Sequence, residues 1–460
     1  MPQPLATRDS LSVRPRSQAT ARRWAWLLGA TLPLSGGLHL STLIPNVPGF
    51  PDYPDQLNVV RLVTLGALTW LILNPLRTRL PPPSRHLLQA FSIVMAYAAA
   101  TLLWTPDLMY GLRAFVSIGA ALLSATALVF LIRQDRLALQ AFAWGVLISG
   151  GFQVCIAVWE LQTAQHLTLS FAADYVKTWN LANIEQVIGK VAWGSLGNPN
   201  DLAGYLLLVL AVFFSRSAYG LKLRPIVLAI AWVLALLGIV VALTALDDAR
   251  AFRIGLAAVL TMHLLDRLLT PRRSLQRMAV MSVALWVVIV ASAWGGSLLA
   301  AVRKSQSDGT RLDLILSGFR LSADTGGLGR GIGAENALVN SGTIPLNYHN
   351  VVVQLAAELG IFVAGALLLY FVWLGISWGF VTRSARRLGP EASLARATLA
   401  LVLTIYGVTS SGVLESPHYG VFLAVTVVLA GLHRNPDDRF HLGASETAGL
   451  SRIGLNTGEA

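Results

Sequence analysis

Apolar runs long enough to cross a bilayer recur along this chain between residues 24 and 432, and no other feature restricts its fold so severely. A helix needs roughly twenty apolar residues to span the hydrocarbon core. About twelve runs can be delimited, at 24–44, 57–74, 87–104, 114–132, 138–159, 202–215, 225–246, 251–265, 278–301, 351–378, 397–413 and 419–432. Of 460 residues, 55% are hydrophobic and 13% charged, and the mean hydropathy is +0.61. Soluble domains carry about 25% charged residues. The expectation is an all-α integral membrane protein of about twelve transmembrane helices, not a soluble multidomain chain.

The basic residues orient this bundle. With the N-terminus in the cytoplasm, the inner segments are 1–23, 75–86, 133–137, 216–224, 266–277, 379–396 and 433–460, and they hold 24 of the 35 Lys and Arg residues. The outer segments hold nine, five of them in the long segment 302–350. Lys and Arg in short loops mark the cytoplasmic side, whereas Asp52, Asp55, Asp107, Asp247 and Asp248 fall on the other. Both termini are therefore expected inside. The net charge of +12 reads as a topology signal, and nucleic acid is not an expected partner.

Three regions follow. Residues 1–23 and 433–460 are polar and short of aromatics, and read as disordered cytoplasmic tails. Residues 24–432 form the polytopic membrane domain, with Pro81–Pro83 as a stiff inner connector and two long outer loops, 160–201 and 302–350. No cleavable signal is expected at Arg22 and Arg23, because the following apolar run is too long. No internal repeat is visible, and the lone Cys155 can form neither a disulfide within one chain nor a cysteine metal site.

Polar residues collect where lipid makes them costly. The first long loop closes on Asn198-Pro199-Asn200-Asp201, a turn in which Asn200 or Asp201 caps the next helix, or Asn198 and Asn200 bond a polar ligand. Asp247-Asp248-Ala249-Arg250-Ala251-Phe252-Arg253 joins two spans at the outer side. Arg250 and Arg253 either pair with those aspartates or form a fixed clamp for phosphate, which suits the planar guanidinium. Thr310–Leu321 is amphipathic, with Arg311 and Arg320 on its polar face, and would lie at headgroup depth. The glycine run Gly326–Gly333 follows no strand, so nucleotide binding is not expected. Close backbone approach is, with Arg330 projecting from the turn. His349 then stands before an apolar helix on which Asn350, Gln354 and Glu358, four apart, share a face. That helix start favours anions. No Asp-rich motif is present, so a metal-independent site without a cofactor is expected.

In their order these residues resemble the O-antigen ligase and O-antigen polymerase superfamily. The resemblance rests on Asn198-Pro199-Asn200, an arginine opening the next outward-starting helix, Arg311, Gly-Leu-Gly-Arg-Gly-Ile-Gly, and His349-Asn350 with Gln354, Glu358 and Gly360. It covers roughly residues 190–380. Ala249 stands where the family often has serine, so either Arg250 or Arg253 is the family's arginine. The resemblance implies a multi-pass glycosyltransferase of the bacterial cytoplasmic (inner) membrane. It would move a glycan from undecaprenyl pyrophosphate to an acceptor hydroxyl at the outer face, on a lipid A core or a growing glycan, with inversion. It further implies that Arg250, Arg253 and Arg311 hold the pyrophosphate, and that His349 is either general base or phosphate ligand. A flippase for the same lipid-linked glycan is the alternative.

Overall fold

The computed structural model describes residues 15–35, 58–75, 80–165, 192, 194–196, 199–245, 250–268, 306–342, 350–380, 390–409 and 416–431. Among the described residues the chain is helical, with no strand. The first helices are α1 (Pro15–Thr31), α2 (Val59–Leu73), α3 (Pro82–Thr101), α4 (Leu108–Gln134) and α5 (Leu137–Thr163). After them come α6 (Pro199–Phe214), α7 (Pro225–Ala245), α8 (Arg250–Leu268), α9 (Gln306–Asp324) and the short α10 (Ala334–Asn340). The last are α11 (Val351–Leu359), α12 (Ile361–Phe380), α13 (Pro390–Thr409) and α14 (Pro417–Gly431).

Among the described residues, two helices, α4 and α5, are long and apolar enough to cross a membrane. Each has 27 residues, about 40 Å at the helical rise. Shorter apolar stretches lie in α2, α6, α7, α12, α13 and α14. The run at 278–301 and the tail at 433–460 lie outside the described residues.

Two boundaries differ from expectation. Helix α1 begins at Pro15, inside the stretch read as a disordered tail, and Arg22 Nε in that segment donates to the carboxylate of Asp135. The run 351–378, read as one span, is two helices separated by Gly360, which has φ +88°. Both flanks are apolar, so hydropathy cannot register the break. Its cause lies in a distant loop.

Glycine contacts set the packing. Gly29 of α1 lies against the backbone of Phe142 in α5, and Gly145 of α5 against that of Trp26. Small residues let backbones approach in this way. Further along α5, Gly150 receives Val209 of α6, and Ser149 Oγ lies 2.6 Å from Tyr205 Oη. Helices α13 and α14 are enclosed, with every described side chain buried from Ala395 to Gly407 and from Pro417 to Leu429. Helix α14 packs on α4, where Gly420 meets Ala121, and its Phe422 ring stands edge-on to Phe142 at 5.8 Å.

The outward faces are apolar as well. On α7, Ile226, Ile230, Val233, Leu236, Leu237 and Val240 are all exposed, and Phe362, Leu368 and Leu369 are exposed on α12. A water-facing helix shows the reverse pattern, with polar residues outward.

Candidate functional site

Several helix ends meet at one end of the bundle. In the first turn of α6, Asp201 Oδ1 accepts a 2.8 Å hydrogen bond from Tyr406 Oη of α13, and Gly204 leaves no room for a side chain beneath the Tyr406 ring. The next residue on α13, Gly407, lies against Val351, which opens α11, and against Tyr419 near the start of α14. The first turns of α6, α11 and α14 thus surround the end of α13. Helix α8 runs parallel to α6: Gly255 meets Leu207, and the His263 ring stands 4.9 Å from Phe214. That register puts Arg250, the first residue of α8, level with the first turn of α6, and Arg253 one turn further in. Helix starts carry partial positive charge and unpaired N–H groups, so this end of the bundle favours an anion.

Asn350 is the cap of α11. Its Oδ1 accepts from the N–H groups of Val352 (2.9 Å) and Val353 (3.2 Å), which gives the asparagine a structural reason of its own. Gln354 and Glu358 are both buried on this helix. Glu358 Oε1 accepts from the N–H of Glu335 at the start of α10, 3.2 Å away. The carboxylate therefore holds a helix start within the protein.

The stretch 310–321, read as amphipathic, is helical within α9, which extends beyond it at both ends. Leu314 packs against Val353 and Ala357, with Ile315 and Leu321 at the margin. Arg311 lies one helical turn before Leu314, so the backbone carries it close to α11. Leu316 and Phe319 are exposed beside Arg320, an apolar strip that suits the membrane interface.

The glycine run is a clamp. Its backbone bonds the α11–α12 break at Arg330 N to Ala357 O (2.7 Å), Gly331 N to Glu358 O (3.0 Å) and Ile361 N to Gly327 O (3.0 Å). From the other side Tyr97 Oη donates to Leu328 O, Trp104 Nε1 to Gly329 O and Thr105 Oγ1 to Ile332 O. Close backbone approach is thus observed, between protein segments. Arg330 is exposed, its guanidinium 3.7 Å from the Asp324 carboxylate.

Of the remaining expected residues, Asn200 is half-buried in the first turn of α6, while Asn198 and His349 lie outside the described residues. Two polar clusters have no counterpart in the sequence reading. In one, Gln153 Nε2 donates to Ser195 Oγ (2.7 Å), Ser195 N to Gln153 Oε1 (2.9 Å) and Gly194 N to Glu160 Oε2 (2.8 Å), docking the turn before α6 onto α5. The other joins Asp201, Tyr406 and His418. Their separations, 205 and 12 residues, leave no local signature. No protein-family model matches the chain, and no curated protein is significantly similar to it.

Proposed function

We propose that the chain is a membrane glycosyltransferase that moves a glycan from undecaprenyl pyrophosphate to an acceptor hydroxyl at the outer face of the bacterial cytoplasmic membrane, as O-antigen ligases and surface-polysaccharide polymerases do. The observation that carries this reading is the gathering of the first turns of α6, α8 and α11 at one end of the bundle. Arg250 opens α8 there, and α9 with Arg311 lies against α11. An anionic, lipid-linked donor suits that combination of helix starts, arginines and an interface-seeking helix.

Immersion beyond α4 and α5 is supported by the apolar outward faces of α7 and α12. On this reading they belong to a bundle of about twelve spans with both termini cytoplasmic, in which the apolar run at 278–301 counts as one, α11 with α12 as one, and the interfacial α9 and short α10 as none. The chemistry asks for no cofactor, because pyrophosphate is already a good leaving group. The protein's part is orientation and charge stabilisation. Arg250, Arg253 and Arg311 hold the pyrophosphate, and the acceptor oxygen attacks the anomeric carbon from the opposite side, inverting it.

The test is transfer by the purified full-length protein in detergent. The donor is undecaprenyl-pyrophosphate-linked glycan and the acceptor is glycan or lipid A core. His349→Ala and Arg311→Ala are expected to abolish transfer while inserting normally, and near-normal transfer by both would remove the assignment. A flippase would move the donor across vesicles and leave its pyrophosphate bond intact. In a deletion strain, unextended single repeats identify a polymerase, and full-length polymer stranded on its carrier identifies a ligase.

A further inference from the structure

Beside the anion-favouring end of the bundle lies a buried chain of polar groups that no step described so far uses. Tyr406 and His418 are 2% and 1% exposed, whereas Asp201 is half-buried and is the member that reaches outward. Tyr406 Oη lies 2.8 Å from Asp201 Oδ1 and 2.7 Å from His418 Nε2. An ionised carboxylate only accepts, so the phenol hydrogen points to Asp201, and the phenol oxygen must accept from His418 Nε2–H. Those partners fix the imidazole tautomer. Ser416 Oγ straddles the ring edge, 2.7 Å from Nδ1 and 3.0 Å from Nε2. Among the described residues, the other titratable groups near the cluster include Tyr205, whose ring is 6.0 Å from His418, and Tyr419, 6.1 Å from Tyr406.

Two features argue that the cluster does more than join helices. A buried polar chain costs stability unless every member is satisfied, and most of α14 otherwise packs through apolar side chains. The donors also run in series toward one oxygen of one carboxylate, which tethers that carboxylate in the first turn of α6. Through Gly407 and Val351 the chain adjoins the start of α11, next to Asn350.

We infer that Asp201 is the general base of the proposed transfer, oriented by Tyr406 and His418 as positioning residues. The inference rests on the glycosyltransferase reading. In the step it describes, the acceptor O–H gives its proton to the Asp201 carboxylate as its oxygen bonds the anomeric carbon. The bond from that carbon to the phosphate oxygen breaks, and its electron pair leaves with the pyrophosphate. His349 is then released from the base role and acts as a phosphate ligand, which separates two tasks the sequence left open for one residue.

The experiment measures steady-state transfer by purified full-length variants, using undecaprenyl-pyrophosphate-linked glycan as donor, with the folded fraction of each variant read by size-exclusion chromatography. Asp201→Asn is expected to lower kcat by about 100-fold or more with donor KM unchanged, the scale of lost general-base catalysis. Asp201→Glu should recover part of that loss. Tyr406→Phe and His418→Gln should each lower kcat by roughly tenfold, again without moving donor KM. Wild-type kcat in folded Asp201→Asn overturns the inference alone, as does a loss that follows only the folded fraction. Absence of transfer by the wild type overturns the glycosyltransferase reading and this inference with it.

Discussion

Replacing Gly329 by alanine should show whether the glycine run is a clamp. Gly329 has φ +80°, and a Cβ built there would sit 2.5 Å from Glu358 O and 2.5 Å from Gly360 N. Both neighbours are backbone at the α11–α12 break and cannot rotate aside. The left-handed conformation alone costs an L-residue roughly 1–2 kcal/mol, and overpacking adds about 1–3 kcal/mol. Gly326 is the matched control, because its φ is +65° but nothing lies within 4 Å of its Cβ position. Gly329→Ala should therefore destabilise by about 2 kcal/mol more than Gly326→Ala, the overpacking part alone. By extrapolated size scaling, that is a further drop of roughly 2–4 °C in the apparent midpoint of detergent-solubilised protein at a fixed scan rate. Limited proteolysis should also begin cutting within 326–342 in Gly329→Ala first. Equal shifts for the two variants would refute the clamp, because only the space around the glycine distinguishes them.

Two more outcomes test the rest of the architecture. Gln153→Leu leaves the buried N–H of Ser195 without its acceptor, at a cost of about 2 kcal/mol. An unchanged midpoint would mean that the turn before α6 is not docked on α5. For the topology, Gln165→Cys and Lys222→Cys are placed in a Cys155→Ser background; both sites are exposed and expected on opposite sides of the membrane. A membrane-impermeant maleimide should label Gln165→Cys in intact spheroplasts and Lys222→Cys only after lysis. Labelling of both under one condition would overturn the orientation.

Hydropathy read the helices well where an apolar run is continuous or a helical period is clear. The run placed at 225–246 is the helix Pro225–Ala245, and the amphipathic stretch at 310–321 is the middle of α9. It failed where the determinant is a partner far away in sequence. The break at Gly360 exists because the glycine run inserts its backbone there, and nothing in the flanking Glu358-Leu359-Gly360-Ile361 announces it. In the same way the Arg22 contact within α1 is to Asp135, 113 residues on, which no local pattern announces. At the candidate site the elements were legible and their roles less so. The sequence places Asn350 on a helix face shared with Gln354 and Glu358, and its part as the N-cap of α11 appears only with coordinates. The Asp201–Tyr406–His418 chain is assembled from three helices and was invisible as a pattern.

The pairing of α1 with α5 has a bearing on biogenesis. Gly29 and Gly145 seat the two helices against each other's backbones, and Arg22 reaches Asp135 at the entrance to α5. On the proposed topology, a nascent chain that has not yet reached Gly145 cannot make that seat, so α1 would wait in the bilayer while α2, α3 and α4 insert after it. Ribosome-stalled chains ending before α5 should therefore keep α1 open to lipid-facing crosslinkers, and chains ending after it should not. On that topology α1 is made before α5 and locked only with it.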